Sequence, residues 1–324
     1  MTGIAIVGTG MWGPRLAEAA GRAGLELVTC FSRDEGRRAQ FAERFGCEPA
    51  GSFQGAIGHP GVEGVVLATP NDVHEEQALA CAERGRHVFV EKPIADSVEA
   101  GERMRQACGE AGVTLMVGHA FRRLGAARRV KELLVGGVLG RVVLAEANMS
   151  LPGSFKPEAW RAQRGRNPGG PIMQLGIHHL DTLAYWLGPV RRASGRFAHV
   201  DTPADIDDVG VMTLEFESGA LGTLTGSYVS PKTLSLRLLG TEAVLDYRTD
   251  FSVWPDARAL DGVTTLTLAG ERVSFEGRDM LAEELAEFGR CIRGEVVPET
   301  GPDEGIAALG TVLQALEANA EAVA

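Results

Sequence analysis

The stretch "GIAIVGTGMWGP", residues 3–14, sets a short apolar run directly before three glycines in a G-x-G-x-x-G pattern. About 0.7 such patterns are expected by chance in a chain with 42 glycines among 324 residues, so the pattern needs a structural context. That context is present, because the apolar run predicts a β-strand and Pro14 suits the first turn of a helix. Such a turn lets the backbone approach a pyrophosphate, which the helix N-terminus can bind. The stretch therefore predicts a dinucleotide-binding unit, and a glycine-rich turn without a ligand is the alternative.

The alternation of strand and helix patterns continues to residue 120. Four helical patterns, at 14–23, 34–45, 73–84 and 97–111, each end at a glycine, which is the usual helix stop signal. Strands that alternate with helices are typical of βαβ units and a parallel sheet. We therefore predict a Rossmann dinucleotide-binding domain over residues 1–120. Its clearest strands are "GIAIVG", "ELVTCF", "GVVLAT", "HVFVEK" and "VTLMVG".

The sequence pattern changes beyond residue 120. Long segments of alternating apolar and polar residues predict antiparallel strands with one covered face. Helical periodicity predicts helices at 124–135, 280–291 and 303–322. We therefore predict a second α/β domain over residues 121–324, built on a large, open, mainly antiparallel sheet. The alternating segments are "RVVLAEANMSL", "GVMTLEFESGALGTLTGSYV", "LSLRLLGTEAVLDYR" and "TTLTLAGERVSFEG".

Composition and charge exclude several classes of function. The formal net charge is −11, so the chain lacks the positive surface that binds nucleic acid or an anionic membrane. Its five cysteines are scattered and form no C-x-x-C pair, which argues against a disulfide framework and a structural zinc site. We expect no bound metal. The N-terminus has no basic segment and no stretch approaches ~20 apolar residues, so we expect a cytoplasmic protein with small-molecule partners.

The residues after the second predicted strand bear on the choice between NAD and NADP. The segment "FSRDEGRR", residues 31–38, lies about 20 residues past Gly13, where NAD-binding proteins often carry an acid for the adenosine ribose. Ser32 and Arg33 occupy this position, and a hydroxyl and a guanidinium can bind a 2′-phosphate. Asp34 is the alternative ribose acid, and it could equally cap the following helix. The pattern favours NADP, with NAD as the alternative.

A lysine follows the strand "HVFV" in the segment "EKP", residues 91–93. Pro93 disfavours helical dihedral angles at Lys92, so the lysine should extend from the carboxyl end of the strand. Ligands bind at that edge of open α/β sheets, and a partly desolvated ammonium there can transfer a proton. The segment "TPNDVH", residues 69–74, follows the preceding strand and strengthens this interpretation. An ordinary surface lysine is the alternative.

Five motifs occur in this order across most of the chain: "VGTGMWGP", "ATPNDVH", "VFVEKP", "VGHAFRR" and "GGPIMQLGIHHLD". Together they resemble the Gfo/Idh/MocA family of dinucleotide-dependent oxidoreductases. The resemblance implies a Rossmann domain followed by a substrate-binding α/β domain whose open sheet mediates homodimers or homotetramers. It also implies hydride exchange between a nicotinamide and a carbinol or ketone carbon of a sugar, cyclitol or related polyol.

The resemblance also assigns roles to three residues. Lys92 matches the family's catalytic lysine, and His178 matches its usual catalytic histidine. Gln174 stands where many members have aspartate. An amide can orient a hydroxyl but cannot hold a negative charge, so we assign proton transfer to Lys92 and His178 and substrate positioning to Gln174.

The helix predicted over residues 171–187 presents these groups on one stripe. Gln174, His178 and Asp181 lie at i, i+4 and i+7, and the opposite side of the helix is apolar. His179 is rotated about 100° from His178, so we expect it to have a different role. A solvated helix edge, or a core histidine bonded to Asp181, is the alternative interpretation of the stripe.

Two further pairs of residues are candidates for the substrate cleft. Trp160 can stack on a sugar and Arg161 can bond its hydroxyls, and Arg122 and Arg123 of "HAFRR" can do likewise. Each pair could equally form salt bridges between the domains. The expected cofactor contacts are Gly8, Gly10, Met11, Trp12, Gly13, Ser32, Arg33, Thr69, Pro70, Asn71, His74, Glu91 and Lys92. The expected substrate contacts are Lys92, Arg122, Trp160, Arg161, Gln174 and His178.

The leading hypothesis is an NADP-preferring dehydrogenase or reductase that acts on a sugar or cyclitol. A dinucleotide-binding sensor without turnover is a second hypothesis, with Gln174 as the trace of lost catalysis. Lys92 and His178 argue against the sensor. A dehydrogenase of a non-sugar alcohol, such as a trans-dihydrodiol, is a further alternative.

Overall fold

The computed structural model describes residues 1–153, 159–250, 252 and 256–323. The chain forms two compact units. The first contains Met1–His119 and Leu281–Ile306, and the second contains Ala120–Met280 and the chain from Ala307 onward. None of the helices in these described ranges is long and apolar enough to cross a membrane.

The sheet of the first unit has six parallel strands. The strands are β1 (Gly3–Val7), β2 (Glu26–Phe31), β3 (Glu48–Pro49), β4 (Gly64–Leu67), β5 (His87–Glu91) and β6 (Leu115–Gly118). Their order, β3-β2-β1-β4-β5-β6, is that of the Rossmann fold, so the predicted N-terminal fold is confirmed. The order reverses between β1 and β4, and ligands bind such sheets outside the carboxyl ends of the strands at that point.

The helices follow the predicted periodic segments closely. They are α1 (Gly13–Arg22), α2 (Glu35–Phe45), α3 (Phe53–Gly58), α4 (His74–Glu83), α5 (Val98–Glu110), α6 (Gly125–Val135), α7 (Ile177–Leu187), α8 (Met280–Ile292) and α9 (Pro302–Val323). The four glycines predicted to end α1, α2, α4 and α5 have φ values of +65° to +74°, a conformation that other residues rarely adopt. The helix ends are thus encoded locally.

The C-terminal helices complete the core of the first unit. A Cβ atom added to Gly64 of β4 would lie 2.6 Å from Ile292 at the end of α8, so only glycine allows this close approach. Gly305, near the start of α9, packs in the same way, because a Cβ there would lie 2.8 Å from Val117 of β6. The first unit therefore combines the N-terminal residues with a later segment, Leu281–Ile306.

The sheet of the second unit has eight strands in the order β14-β13-β12-β11-β7-β10-β9-β8. The strands are β7 (Val142–Ser150), β8 (Val190–Ala198), β9 (Val209–Phe216), β10 (Leu221–Ser227), β11 (Thr233–Gly240), β12 (Val244–Thr249), β13 (Thr264–Leu268) and β14 (Glu271–Arg272). All neighbours are antiparallel except β7 and β10. Buried and exposed residues alternate along β9, as expected for a sheet with one covered face. The predicted open, mainly antiparallel sheet is confirmed.

The helix predicted over residues 171–187 covers part of the inner face of this sheet. Its first turn, Ile172–Gly176, is a π-helix, and α7 continues from it. A Cβ on Gly176 would lie 3.4 Å from Leu224 of β10, and one on Gly226 would lie 3.3 Å from Ile172, so helix and strand are in close contact. The prediction of one regular helix is corrected at this turn, since π-turns interrupt the i→i−4 ladder. Such turns occur frequently at functional sites.

Candidate active site

The glycine loop after β1 fits a dinucleotide phosphate. A side chain at Gly8, whose φ is +100°, would collide with the carbonyl oxygen of Ala68, and one at Gly13 would collide with the carbonyl oxygen of Gly8. These two glycines are required by the packing of the turn itself. Gly10 differs, because no atom of the described chain lies within 4 Å of a Cβ built there. The open space at Gly10 is where the backbone of such loops approaches the pyrophosphate.

The N-terminus of α1 has no side-chain cap, which leaves its amide groups available to a phosphate. Asp34, Ser52 and Ser97 each cap a helix with a side-chain hydrogen bond to its first turn. Trp12, the N-cap residue of α1, makes no such bond. The first amide groups of α1 therefore keep their capacity to bind an anion, and the helix dipole favours negative charge there. The neighbouring Met11 is 59% exposed.

The end of β2 carries a hydroxyl held in place by its neighbours. The Thr9 hydroxyl donates to Ser32 Oγ over 2.9 Å, and Ser32 Oγ donates to the carbonyl oxygen of Asp34 over 3.1 Å. Asp34 Oδ1 accepts the amide of Arg37 at 2.9 Å and caps α2. Of the two interpretations of Asp34, the helix cap is the one observed. Arg33, between Ser32 and Asp34, is exposed.

The segment after β4 places three predicted residues at the carboxyl edge of the first sheet. Thr69 Oγ1 donates to Gln77 Oε1 over 2.6 Å, and Pro70 precedes a short 3₁₀ turn. Asn71 is only 5% exposed, and its buried Oδ1 has no hydrogen-bond partner in the described chain. A buried amide oxygen of this kind suits a ligand that donates a hydrogen bond.

The strand β5 ends at Glu91, and Lys92 follows it. Both side chains are buried, with 8% and 9% exposure, and the Lys92–Pro93 peptide bond is cis. Lysine is rarely this buried in a folded protein unless it has a partner or a function. The sequence prediction that Lys92 extends from the carboxyl end of this strand agrees with its place directly after β5.

The ring of His74, which was predicted as a cofactor contact, lies against main-chain oxygens. Its ring is 1% exposed, with Nδ1 3.1 Å from the carbonyl oxygen of Pro93 and Nε2 3.0 Å from that of Thr69. Burial lowers the pKa of His74, although the neighbouring carbonyl oxygens oppose this shift. Both ring nitrogens are therefore engaged by the protein itself.

In the second unit, three buried residues of the predicted stripe lie on consecutive turns. Gln174, with 5% exposure, lies in the π-turn, and His178, with 6%, lies in the first turn of α7. The ring of Phe121 stacks on His178 with centroids 4.4 Å apart and an interplanar angle of 30°. The third residue, Asp181, is 2% exposed. The stripe is buried, so a solvated helix edge does not describe it.

Asp181 pairs with an arginine. Arg122 donates from Nε to Asp181 Oδ2 over 3.0 Å and from Nη2 to Oδ1 over 2.5 Å, and both side chains are nearly inaccessible. This two-bond geometry is the strong form of the arginine–carboxylate pair. The guanidinium of Arg122, which was predicted to bond substrate hydroxyls, forms this ion pair within the second unit. The pair links the turn that carries Phe121 to α7.

His179 and the Trp160 segment have other surroundings. His179 is fully buried, its Nε2 lies 3.2 Å from the carbonyl oxygen of Asn148, and burial lowers its pKa to about 4. It is neutral near pH 7 and faces the sheet. Arg161 stacks its guanidinium 4.4 Å from the centre of the Trp160 ring in a short 3₁₀ turn. The two residues predicted from this segment are thus in contact with each other.

Sequence reasoning missed Phe121, which contacts a predicted site residue. It lies within the quoted motif "HAFRR", but a single apolar residue beside two arginines gives no sign of what its ring touches. Only the contact with His178 shows its place.

Comparison with known proteins agrees with this geometry. Residues 2–119 match the model of the oxidoreductase family with an NAD-binding Rossmann fold, and residues 127–246 match the GFO/IDH/MocA C-terminal domain. A solved structure from Desulfitobacterium hafniense, named provisionally as an NADPH-dependent oxidoreductase, is 34% identical with a TM-score of 0.95. The match covers 99% of this chain and 96% of that one.

Two curated relatives match over nearly their whole length. The 1,5-anhydro-D-fructose reductase of Ensifer adhaerens is 27% identical over 92% of this chain and 90% of its own. The D-xylose 1-dehydrogenase (NADP(+)) 2 of Haloferax volcanii is 29% identical over 89% of this chain and 87% of its own. The chain belongs to the GFO/IDH/MocA family and is an NAD(P)-dependent oxidoreductase.

Proposed function

We propose that the protein is a dehydrogenase or reductase of a sugar or related polyol that prefers NADP(H) to NAD(H). Both curated relatives are named for reactions on sugars or sugar derivatives, and one is named for NADP(+). The observation that carries the proposal is Lys92, a buried lysine directly after β5. Strand β1 of the same sheet leads into the glycine loop and into α1, which has no side-chain cap. Bound NADP(H) would supply or accept the hydride at a carbinol or ketone carbon.

The chain's own residues supply binding and proton transfer. The glycine loop and the first turn of α1 would hold the pyrophosphate, and Asn71 would accept a hydrogen bond from the ligand. We assign the proton of the reacting hydroxyl to Lys92 and His178, which are the types of group that transfer protons near neutral pH. Gln174 would orient the substrate by hydrogen bonds, since its amide stays neutral.

The preference for NADP(H) rests on Ser32 and Arg33. Asp34 caps α2 through Oδ1, and the end of β2 offers a hydroxyl and an exposed guanidinium beside it. Arg38 donates to the carbonyl oxygen of Ser32 over 2.8 Å, so it adds positive charge near the same point. A 2′-phosphate is the ligand group that this set would favour.

Self-association is a further part of the proposal. The outer face of the second sheet carries exposed apolar residues on neighbouring strands, with Leu221 54% exposed and Val211 43% exposed. A second copy of the chain would cover this face and form a homodimer or homotetramer. We also propose a cytoplasmic location, which suits the five free cysteines. Light scattering on the purified protein measures the oligomeric state.

The experiment for the proposed function uses the purified protein with NADP(H), NAD(H) and a panel of sugars, inositols, keto-sugars and a trans-dihydrodiol. We expect turnover with a sugar or polyol, seen as a change in nicotinamide absorbance, and faster turnover with NADP(H). Tight cofactor binding without turnover on any substrate would instead support the sensor. Turnover on the dihydrodiol alone would move the substrate class away from sugars.

A further inference from the structure

His74 joins two segments that carry predicted site residues. It is the first residue of α4, and its ring lies between the main chain after β4 and the main chain after β5. Nε2 lies 3.0 Å from the carbonyl oxygen of Thr69, whereas Nδ1 lies 3.1 Å and 3.2 Å from those of Pro93 and Ile94. One side chain thus spans the carboxyl ends of two neighbouring parallel strands.

The chemistry of the ring suits this bridging position. A neutral imidazole has one N–H group and donates to one strand end, whereas the charged ring donates to both. Burial lowers the pKa of His74, and the Thr69, Pro93 and Ile94 carbonyl oxygens, together with the Asp72 carboxylate, oppose that shift. In either state the ring fills the space between the segments, and at 1% exposure water does not compete for its bonds.

The position of the bridge matters because Lys92 is the residue before Pro93. Nδ1 of the ring lies within hydrogen-bond distance of the carbonyl groups of both residues that follow the lysine. A shift of this short segment would move the lysine ammonium with it, and misplacement of a reacting group by about 1 Å can reduce turnover about 100-fold. A second contact steadies the other segment, because Thr69 Oγ1 donates to Gln77 on the same helix.

We propose that His74 is a positioning residue for Lys92, which ties the segment after β5 to the segment after β4 and so fixes where the ammonium lies. The inference rests on the proton-transfer role proposed for Lys92. It differs from a direct contact between His74 and the dinucleotide, because both ring nitrogens face main-chain oxygens. The loss of the ring should therefore change catalysis more than cofactor binding.

The test compares His74→Phe and His74→Gln with wild type in the full chain. Phenylalanine approximates the volume of the ring and removes its N–H donor, whereas glutamine carries two N–H donors and can restore a hydrogen bond to a strand end. We expect His74→Phe to lower kcat about 30-fold or more while the Kd for NADPH, measured by fluorescence titration, stays within about threefold. His74→Gln should recover most of the lost kcat. The pH profile of kcat/KM should shift in His74→Phe.

His87 provides the matched control. It begins β5 at the opposite end from Lys92, and its Nδ1 accepts the amide of Thr114 at 3.1 Å. His87→Phe also removes a ring bond to main chain and should leave kcat and the pH profile unchanged. Thermal unfolding of all variants separates a misfolded protein from a mispositioned lysine, and His74→Gln keeps the test informative if His74→Phe does not fold.

Three outcomes would overturn the inference. The first is a folded His74→Phe with wild-type kcat, and the second is a Kd for NADPH that rises as much as kcat/KM falls. The third is a His74→Gln variant as impaired as His74→Phe. Lys92→Ala, assayed alongside, separates this failure from that of the proposed function. An active Lys92→Ala removes the role of the lysine, whereas an inactive Lys92→Ala with an active His74→Phe removes only the role of His74.

Discussion

The two regions that carry the candidate site residues are built differently. At the carboxyl edge of the first sheet, the main chain sets the geometry, through the glycine loop and the carbonyl oxygens around His74. On α7 of the second unit, side chains set it, through the Arg122–Asp181 ion pair and the Phe121 ring on His178. A main-chain site is encoded by short spacings in sequence, whereas a side-chain site depends on partners far apart in the chain.

The largest expected effect comes from removing the lysine at the main-chain edge. Lys92→Ala should lower kcat/KM about 10³-fold, because it deletes a group proposed to transfer the proton. NADPH should still bind, since the glycine loop is intact. Lys131→Ala is the control, because Lys131 is a partly buried lysine of the second unit whose Nζ donates to the carbonyl oxygen of Tyr185. Steady-state kinetics and a cofactor titration check both variants, and comparable losses in both would break the assignment.

The next effect tests the side-chain region through stability. Asp181→Asn removes the negative charge that pairs with the buried Arg122 guanidinium, so the free energy of unfolding should fall by about 3 kcal/mol. The comparison variant in the first unit is Glu75→Gln, which breaks a partly exposed ion pair with Arg103. It should change the free energy of unfolding by less than about 1 kcal/mol. Urea unfolding measures both.

A double variant sharpens this prediction. Replacing the pair together, as Arg122→Met with Asp181→Leu, removes both charges and should recover most of the lost stability. Equal stability losses in Asp181→Asn and Glu75→Gln would show that the buried pair does not organise the second unit.

The same difference explains what the sequence could predict. In the first unit, helices α1, α2, α4 and α5 and five of the strands follow from local patterns and glycine stops. The two-residue β3 and the six-residue α3 are too short for a periodic signal. In the second unit, β7 lies between β10 and β11 because of pairings as distant in sequence as Val142 with Gly240, which no local pattern shows.

The side-chain contacts were harder still. Arg122 and Asp181 are 59 residues apart in sequence, and each alone is consistent with a surface charge. The apolar spacing over residues 171–187 predicts a helix but does not separate an α-turn from a π-turn, so the conformation at Gln174 was missed. The place of Lys92 directly after β5 was predictable because it follows from the end of that strand alone.

The third prediction concerns pH and the side-chain region. The pKa of His179 is about 4 in the folded protein and 6.5 as the ordinary value, so between these values the unfolded chain binds a proton that the folded chain does not. The free energy of unfolding should therefore fall as the pH drops from 6.5 towards 4. At pH 5, His179 should lower the free energy of unfolding by about 2 kcal/mol relative to its value above pH 7.

His179→Gln isolates this contribution, because glutamine can still donate to the carbonyl oxygen of Asn148 and does not titrate. Urea unfolding at pH 7 and pH 5 should show a smaller loss of stability in the variant than in wild type. The same pH dependence in both proteins would mean that His179 is not the group that is held neutral.

The smallest effect returns to the main-chain edge. Arg33→Ala should raise the KM for NADPH about 10-fold, or about 1.4 kcal/mol, and leave the KM for NADH unchanged, because only NADPH carries the 2′-phosphate. Arg44→Ala is the control, since Arg44 lies at the other end of α2 and pairs with Glu18 over 2.6 Å. The stability of Arg33→Ala should stay within about 0.5 kcal/mol of wild type. Because main-chain bonds hold this edge, Arg33→Ala should lose specificity for NADPH without unfolding. An equal rise in the KM values for NADPH and NADH, or a stability loss like that of Asp181→Asn, would contradict the proposed difference between the two regions.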